Sequence, residues 1–277
     1  TAISSFLRPH EAVVSTSSGH IYVHETGSVE ATGHKVYSIE SADGKLNPSQ
    51  VREAVDLHYF EHMVKIRLVY ISQPTEMGGL YSLEELYALR AVCDELNLLL
   101  YIDGARLGSA VTSEKSDVKF SDYAKIADAF YIGGTKNGAL FGEALVICNA
   151  KIEEDFKYLM KQRGAVFAKG RLMGIQFYEL FKDGLYFQLA EHANKMSSRL
   201  SEKIKECGYS MKFESYTNQI FPVFPEHVVS ALEEEYLFYR WETEPDGNIV
   251  TRLICSWMTQ KEDVDNFIES LKKAAGN

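Results

Sequence analysis

The chain has 277 residues, 45% hydrophobic and 25% charged, with a formal net charge of −10 at pH 7; that is enough for one sizeable core or two domains sharing an interface, in an ordinary globular composition. The acidic balance argues against a nucleic-acid partner, which needs a basic patch to release counterions. No apolar run approaches the roughly 20 residues that span a bilayer, and no signal-peptide pattern opens the sequence, which argues against a membrane partner.

Thr1 to Leu7 has the pattern of a helix already under way, with Ile3, Phe6 and Leu7 on one face and no cap before it. Glu11 to Ser15 reads as a strand, followed by the polar turn Thr16-Ser17-Ser18-Gly19 and then His20. A histidine in that place is by itself a cap or surface residue more often than a proton carrier. Glu25 could orient a water or a nearby histidine, or simply be solvated. His34 begins a strand that runs to Ile39. Asn47-Pro48-Ser49-Gln50 opens a helix with proline in its first turn, reaching about His62. Its end satisfies the H-x-x-E-H pattern of inverted zinc peptidases at His58, Glu61 and His62, with both histidines on one helical face. No third ligand follows at a suitable distance, so an outer surface helix is the better reading and no metal is expected. Arg67 to Ser72 is a strand leading into Gln73-Pro74-Thr75-Glu76-Met77-Gly78-Gly79, and Ser82-Leu83-Glu84-Glu85 starts a capping-box helix ending near Asn97.

Two short apolar runs come next, each bounded by glycine and polar residues as in buried strands of a parallel sheet. Leu98 to Ile102 ends in Asp103, and Ala129 to Ile132 leads into Gly133-Gly134-Thr135-Lys136-Asn137-Gly138. Ligands of open α/β sheets bind beyond the carboxyl ends of the strands, so Asp103 and Lys136 can meet in one pocket. Such a pair suits pyridoxal phosphate, which needs a lysine for its aldehyde and a carboxylate to keep its ring nitrogen protonated. Glycines around the lysine let a planar ring approach the backbone. On spacing alone, a plainer reading is favoured: Asp103 caps a helix and Lys136 is a solvated loop residue.

Glu143 to Cys148 reads as the next strand and Lys151 to Gln162 as a helix. Gly164 to Lys182, with Lys169 and Arg171, either lends positive charge to a neighbouring subunit or packs as an interface helix. A long helix from Gly184 to Glu206 leads to strands at Tyr209–Phe213, Gln219–Phe224 and Ile249–Cys255, with helices after Pro225 and Gln260, an α+β pattern. Arg252, on the last strand, is fixed and planar, the natural bidentate anchor for a carboxylate. The four cysteines, Cys93, Cys148, Cys207 and Cys255, lack metal or redox spacing; they read as buried reduced thiols of a cytoplasmic protein.

Asp103-Gly104-Ala105-Arg106 followed by Gly134-Thr135-Lys136-Asn137-Gly138 resembles the low-specificity L-threonine aldolase branch of the beta-eliminating lyase family, pyridoxal-phosphate enzymes of aminotransferase fold (fold type I). Gly19-His20-Ile21 with His24-Glu25-Thr26-Gly27, and Thr251-Arg252-Leu253-Ile254-Cys255-Ser256-Trp257, extend the resemblance over almost the whole chain. It implies an α/β fold: a mostly parallel, seven-stranded-type sheet in a cofactor-binding large domain (1–182), and a small C-terminal α+β domain (183–277). The family's glycine- and threonine-containing phosphate loop would lie upstream of Thr1, so the large domain is expected to begin before this sequence does. Lys136 would carry the cofactor, with Asp103 at its ring nitrogen and His20 stacked on the ring. Arg106 would lie near the lysine or the substrate carboxylate, Thr135 near the phosphate, and Arg252 with Arg106 would hold the carboxylate.

The activity implied is cleavage of a β-hydroxy-α-amino acid, such as L-threonine or L-allo-threonine, to glycine and an aldehyde, with His20 or a water near Glu25 as base. Many threonine aldolases carry a second histidine where this chain has Pro74, Thr75 and Glu76, a departure that bears on the proton-transfer group. The alternatives are β-elimination or transamination on the same cofactor, a zinc hydrolase using His58, Glu61 and His62, or a cofactor-free binding protein. The resemblance further implies a homodimer or homotetramer with active sites built from two chains, and a place in amino acid metabolism.

Overall fold

A computed structural model describes residues 1–276. A six-stranded sheet has the order β2-β1-β3-β4-β5-β6, formed by β1 (Glu11–Thr16), β2 (Val36–Ile39), β3 (Lys65–Ser72), β4 (Leu99–Asp103), β5 (Ala129–Ile132) and β6 (Ala144–Ile147). The first five run parallel. Every residue of β1 and β4 is buried, as continuous apolar runs covered on both faces require. One face packs Val14, Leu86, Leu89, Leu100 and Ile102; the other packs Val13, Leu68, Tyr70 and Tyr101 with Ile3 and Phe6 of the first helix. Leu89 and Leu100 are wholly inaccessible, so truncating either to alanine costs about 2–5 kcal/mol.

The mostly parallel α/β class expected from the sequence holds, with six strands rather than the seven-stranded type. Strand β6 is the exception to parallel pairing: it runs antiparallel to β5, with Phe130 opposite Val146. The loop of 133–143 is too short to hold a crossover helix, so the chain turns straight back. Strand β2 starts at Val36, and His34 before it is buried with Nδ1 donating to Glu11 O (3.1 Å).

Both helix starts hold, the second with the capping box expected of it. Asn47 and Gln50 form a reciprocal box with Pro48 in the first turn, and Ser82 and Glu85 form another. The first of these helices, however, stops at Leu57. His58 Nδ1 turns back to donate to Ala54 O (2.7 Å), satisfying a terminal carbonyl and closing the helix. His58 packs against Tyr37 and His62 against Phe60, so the two histidines do not share a helical face. No cluster of three metal-ligating side chains occurs among the described residues. The helix expected over 151–162 is two short ones, Ala150–Glu153 and Phe156–Gln162, broken where Asp155 takes a left-handed φ of 61° that aspartate tolerates.

The helix Leu185–Glu206, about 33 Å long, buries Tyr186 in the first core and Leu200 and Ile204 in a second. That second core lies against a smaller antiparallel sheet of β7 (Gln219–Ile220), β8 (Val223–Phe224), β9 (Tyr239–Thr243) and β10 (Ile249–Ile254), in which β10 pairs with the other three. The single strand expected over 219–224 is interrupted at Phe221-Pro222, where proline has no N–H for a ladder. The expected strand 209–213 is reduced to one bridge, Met211 to Pro222. Strand β9 is an addition. Its signal is present in Tyr239-Arg240-Trp241-Glu242-Thr243, an alternating run ahead of an Asp246-Gly247 turn with Gly247 at φ 87°.

The cysteines are all free, but Cys148 is exposed, because β6 ends one residue before it; Cys93 and Cys255 are buried and Cys207 is half-buried. No helix among the described residues is long and apolar enough to cross a membrane.

Candidate active site

Beyond the carboxyl ends of β3, β4 and β5, a pocket is lined by His20, Glu76, Asp103, Arg106, Lys136 and Arg252. Asp103 closes β4 opposite Ser72 of β3. It is buried, and donors hold both of its oxygens: Ala105 N–H donates to Oδ1 (2.9 Å), and the Tyr70 hydroxyl donates to Oδ2. Burial, then the Asp103 charge, pushes the Tyr70 phenol well above its ordinary pKa, so Tyr70 stays a donor. Burial, then the Asp103 charge, also pushes the Tyr131 phenol well above its ordinary pKa. Close approach of the two strand ends requires glycine. A Cβ at Gly104 would lie 2.1 Å from Tyr131 O, and one at Gly133 would lie 2.0 Å from Ala105 O. With no side chain at either position, Gly133 N–H bonds Gly104 O at 2.8 Å.

Lys136 sits in the single turn Thr135–Asn137, which Gly138 closes with φ 98°. Glu143 accepts from Gly134 N–H (2.5 Å), and Asn137 Nδ2 donates to Tyr186 O (2.8 Å). The Tyr186 hydroxyl ties the loops together, accepting from Gly108 N–H and donating to Gly133 O, both at 3.1 Å. Lys136 reaches solvent over part of its length, yet burial of its amine, helped by the Arg106 charge, lowers its pKa. That enriches the neutral amine, the form that attacks an aldehyde. Thr135 is exposed and turns its hydroxyl toward Gly142 O (3.5 Å).

Two guanidiniums flank the lysine. Arg106 and Arg252 each have a buried Nε without a hydrogen-bond partner. Burial first, and then Arg252, lowers the pKa of Arg106 to about 10. Arg252 projects from β10, with its guanidinium carbon 4.5 Å from the Tyr239 ring centre and 5.2 Å from that of Trp241. The rings support the arginine without consuming its donors. The two guanidiniums have donors that the pocket's own carboxylates leave unused, and carboxylate or phosphate oxygens of a ligand can complete them.

His20 begins the short helix His20–Val23. Its Nδ1 lies 2.6 Å from Glu25 Oε1, an acceptor when ionised, which makes Nδ1 the donor. Its backbone N–H donates to Glu76 Oε1 (3.0 Å), which also accepts from Ser72 Oγ (2.5 Å). Glu76 is buried, and burial, reinforced by the Asp103 charge and opposed by the Ser72 bond, raises its pKa to about 7.

The Beta-eliminating lyase family model matches residues 1–226. The chain belongs to the beta-eliminating lyase family. It is 33% identical over 275 residues to the low specificity L-threonine aldolase of a Pseudomonas species, covering 98% of this chain and 78% of that one. A low specificity L-threonine aldolase from Saccharomyces cerevisiae is 25% identical over 222 residues, or 78% of this chain and 55% of its own. Among solved structures, a Leishmania major threonine aldolase superposes with a TM-score of 0.96 at 44% identity, covering 98% of this chain and 80% of that one. A Thermus thermophilus aspartate aminotransferase variant shares the fold alone, with a TM-score of 0.70 at 15% identity over 99% of this chain and 72% of its own.

In this member of the beta-eliminating lyase family, Lys136, Asp103, His20, Arg106 and Arg252 converge on one pocket, while Thr135 does not line it. Glu25 pairs with His20, one of the two uses its position allows. The sequence assigns no role to Tyr70 or Tyr131, and marks Glu76 only as standing, with Pro74 and Thr75, where many threonine aldolases carry a second histidine. Of these, Glu76 carried a usable signal: it follows the carboxyl end of a buried strand adjacent to the strand of Asp103, where ligands of such sheets bind.

Proposed function

We propose that the protein is a pyridoxal-phosphate-dependent aldolase cleaving a β-hydroxy-α-amino acid, such as L-threonine or L-allo-threonine, to glycine and an aldehyde. The observation that carries this reading is the convergence of Lys136, the buried carboxylate of Asp103 and the incompletely bonded guanidiniums of Arg106 and Arg252 on one pocket. Kinship with low specificity L-threonine aldolases supports the choice of substrate class.

The donor set fits the cofactor, whose aldehyde, ring nitrogen and phosphate call for an amine, a carboxylate and cations. When bound, pyridoxal phosphate supplies an electron sink for the pair released at the substrate Cα. Lys136, whose amine pKa is lowered by burial and by the Arg106 charge, would hold the aldehyde. Asp103, fixed by Ala105 and by the Tyr70 hydroxyl, would keep a proton on the ring nitrogen. Arg252, with Arg106, grips the amino-acid carboxylate and so sets which Cα bond stands ready to break. His20, oriented by Glu25, would cover the ring.

The same reading divides the chain into a part that carries Lys136 (1–182) and a part that brings Arg252 to it (183–277). It makes the protein a self-associating cytoplasmic enzyme, a homodimer or homotetramer. Leu172, Ile175 and Tyr178 expose apolar surface along one helix, with Leu140 and Phe141 also exposed, which supports association. Free cysteines suit a reducing compartment.

The test is a visible absorption spectrum with pyridoxal phosphate, before and after borohydride reduction, for the native protein and Lys136→Ala, followed by an assay of threonine-dependent aldehyde release. The native protein should be coloured, be bleached by reduction with an adduct mapping to Lys136, and release aldehyde. A folded protein that stays colourless and forms no adduct would overturn the reading.

A further inference from the structure

We propose that Glu76 is the base that takes the β-hydroxyl proton of the substrate, an inference that rests on the aldolase reading above. Glu76 lines the pocket together with Lys136 and Arg252. Its Oε1 is occupied by His20 N–H and Ser72 Oγ. Those two bonds fix the carboxyl and leave Oε2 for a ligand proton.

The other acidic groups of the pocket are committed elsewhere. Asp103 has donors on both oxygens. Glu25 is exposed and bound to His20, which in turn spends Nδ1 on that pairing. Glu143, beside the lysine turn, accepts from Gly134 N–H.

The electrostatic surroundings of Glu76 suit a base. Ser72 and Tyr70 face it from β3, Asp103 and Arg106 from β4 and the residues after it, His20 from the short helix, and Tyr81 from the loop beyond. Burial and the Asp103 charge outweigh the hydrogen bonds that favour the ionised form, and the carboxyl titrates at about 7. A base poised near the working pH both accepts and releases a proton. Two neighbouring carboxyls thereby divide the work: Asp103 holds charge, and Glu76 moves a proton.

The step balances without any redox partner. The β-hydroxyl O–H bond breaks and its proton goes to Glu76 Oε2, while the oxygen's electron pair forms the aldehyde C=O. The Cα–Cβ bond breaks, and its pair stays with the Cα fragment, stabilised by the cofactor named above. That fragment leaves as glycine after Cα takes up a proton, and Glu76 then gives up the one it received.

Glu76→Gln keeps an acceptor oxygen for His20 and Ser72 but cannot take the proton. Three readouts separate base from scaffold. One is the pH profile of threonine cleavage, and another is exchange of the glycine α-hydrogen in D2O, which involves no hydroxyl. The third, requiring neither cofactor nor turnover, is a carboxyl ¹³C NMR titration of the glutamate-labelled protein. In Glu76→Gln, cleavage should fall by about 10²- to 10⁴-fold and lose its rising limb near neutral pH. Glycine exchange should persist, and the resonance titrating near pH 7 should vanish. Glu76→Asp should recover part of the cleavage.

Cleavage by Glu76→Gln at the native rate with an unchanged pH profile would overturn this inference alone. So would a parallel loss of cleavage and exchange, since that assigns Glu76 to holding the site. Native protein that binds the cofactor yet performs neither reaction would overturn the aldolase reading and this inference with it.

Discussion

Replacing Glu76 by glutamine should stabilise the cofactor-free protein at neutral and alkaline pH and leave it nearly unchanged in acid. The carboxyl shifts from an ordinary 4.5 to about 7 on folding because burial penalises its charged form. The folded pKa thus lies above the unfolded one, and the folded state binds the extra proton across that window. The stability this contributes is fully present below about 4.5 and is lost as pH rises through about 7. At 1.36 kcal/mol for each tenfold change in proton affinity, a difference of about 2.5 amounts to roughly 3 kcal/mol. Glutamine mimics the protonated acid, keeps the acceptor for His20 and Ser72, and escapes the cost of ionising in place. For a chain of this size that corresponds to roughly 6–12 °C in Tm. The assay is thermal unfolding of the native protein and Glu76→Gln at intervals from about pH 4.5 to pH 8.5, without cofactor so that ligand linkage does not intrude. The two Tm curves should converge in acid, separate as pH rises from about 4.5 to about 7, and keep that separation above neutrality, with the variant higher. A separation at about pH 4.5 equal to that at about pH 8.5 would refute the reasoning, because it would mean that the carboxyl ionises alike in the folded and unfolded chain.

Other substitutions test other parts of the site. Asp103→Asn should retain the visible band yet slow turnover by on the order of 10²-fold or more, since the ring proton loses its partner; equal rates would remove Asp103 from that role. Tyr239→Ala combined with Trp241→Ala withdraws the rings that hold Arg252, so steady-state kinetics should show KM for the amino acid rising about 2- to 30-fold with kcat little changed. Phenylalanine at both positions should restore most of it, and a fall in kcat alone would contradict the account. Gly104→Ala drives a Cβ to 2.1 Å from Tyr131 O, and should cost about 3 kcal/mol or more of stability, visible as a lower Tm or loss of soluble protein.

Much of the site was legible because its residues occupy places the chain must mark. Asp103 and Lys136 follow apolar runs that end abruptly, and Gly104 and Gly133 mark where two backbones meet. Glu76 was legible as a residue but not as a base, since nothing in Gln73-Pro74-Thr75-Glu76 reveals that His20 and Ser72 will enclose it. The supports of Arg252 depend on pairing between β9 and β10, which sets Tyr239 beside it, a relation that no local pattern states. Strand β6 was located from its apolar run, but the direction of a strand depends on the connection before it. The helix beginning at Pro48 was extended too far because periodicity continues through His58, whose ring instead turns back to cap the helix.

Tyr186 belongs to the long helix whose far end is embedded in the second core, yet its hydroxyl pins both the short helix Leu107–Val111 after Asp103 and the glycine before the Lys136 turn. The lysine's surroundings are therefore assembled from residues that the ribosome makes well after it. A nascent chain that has completed the six-stranded sheet still lacks this clasp, and chemistry at Lys136 must await the helix. The same dependence limits engineering by recombination: exchanging the C-terminal third for that of a relative imports a new Tyr186 along with a new Arg252, so such chimaeras should be cut after Glu206 rather than before Leu185.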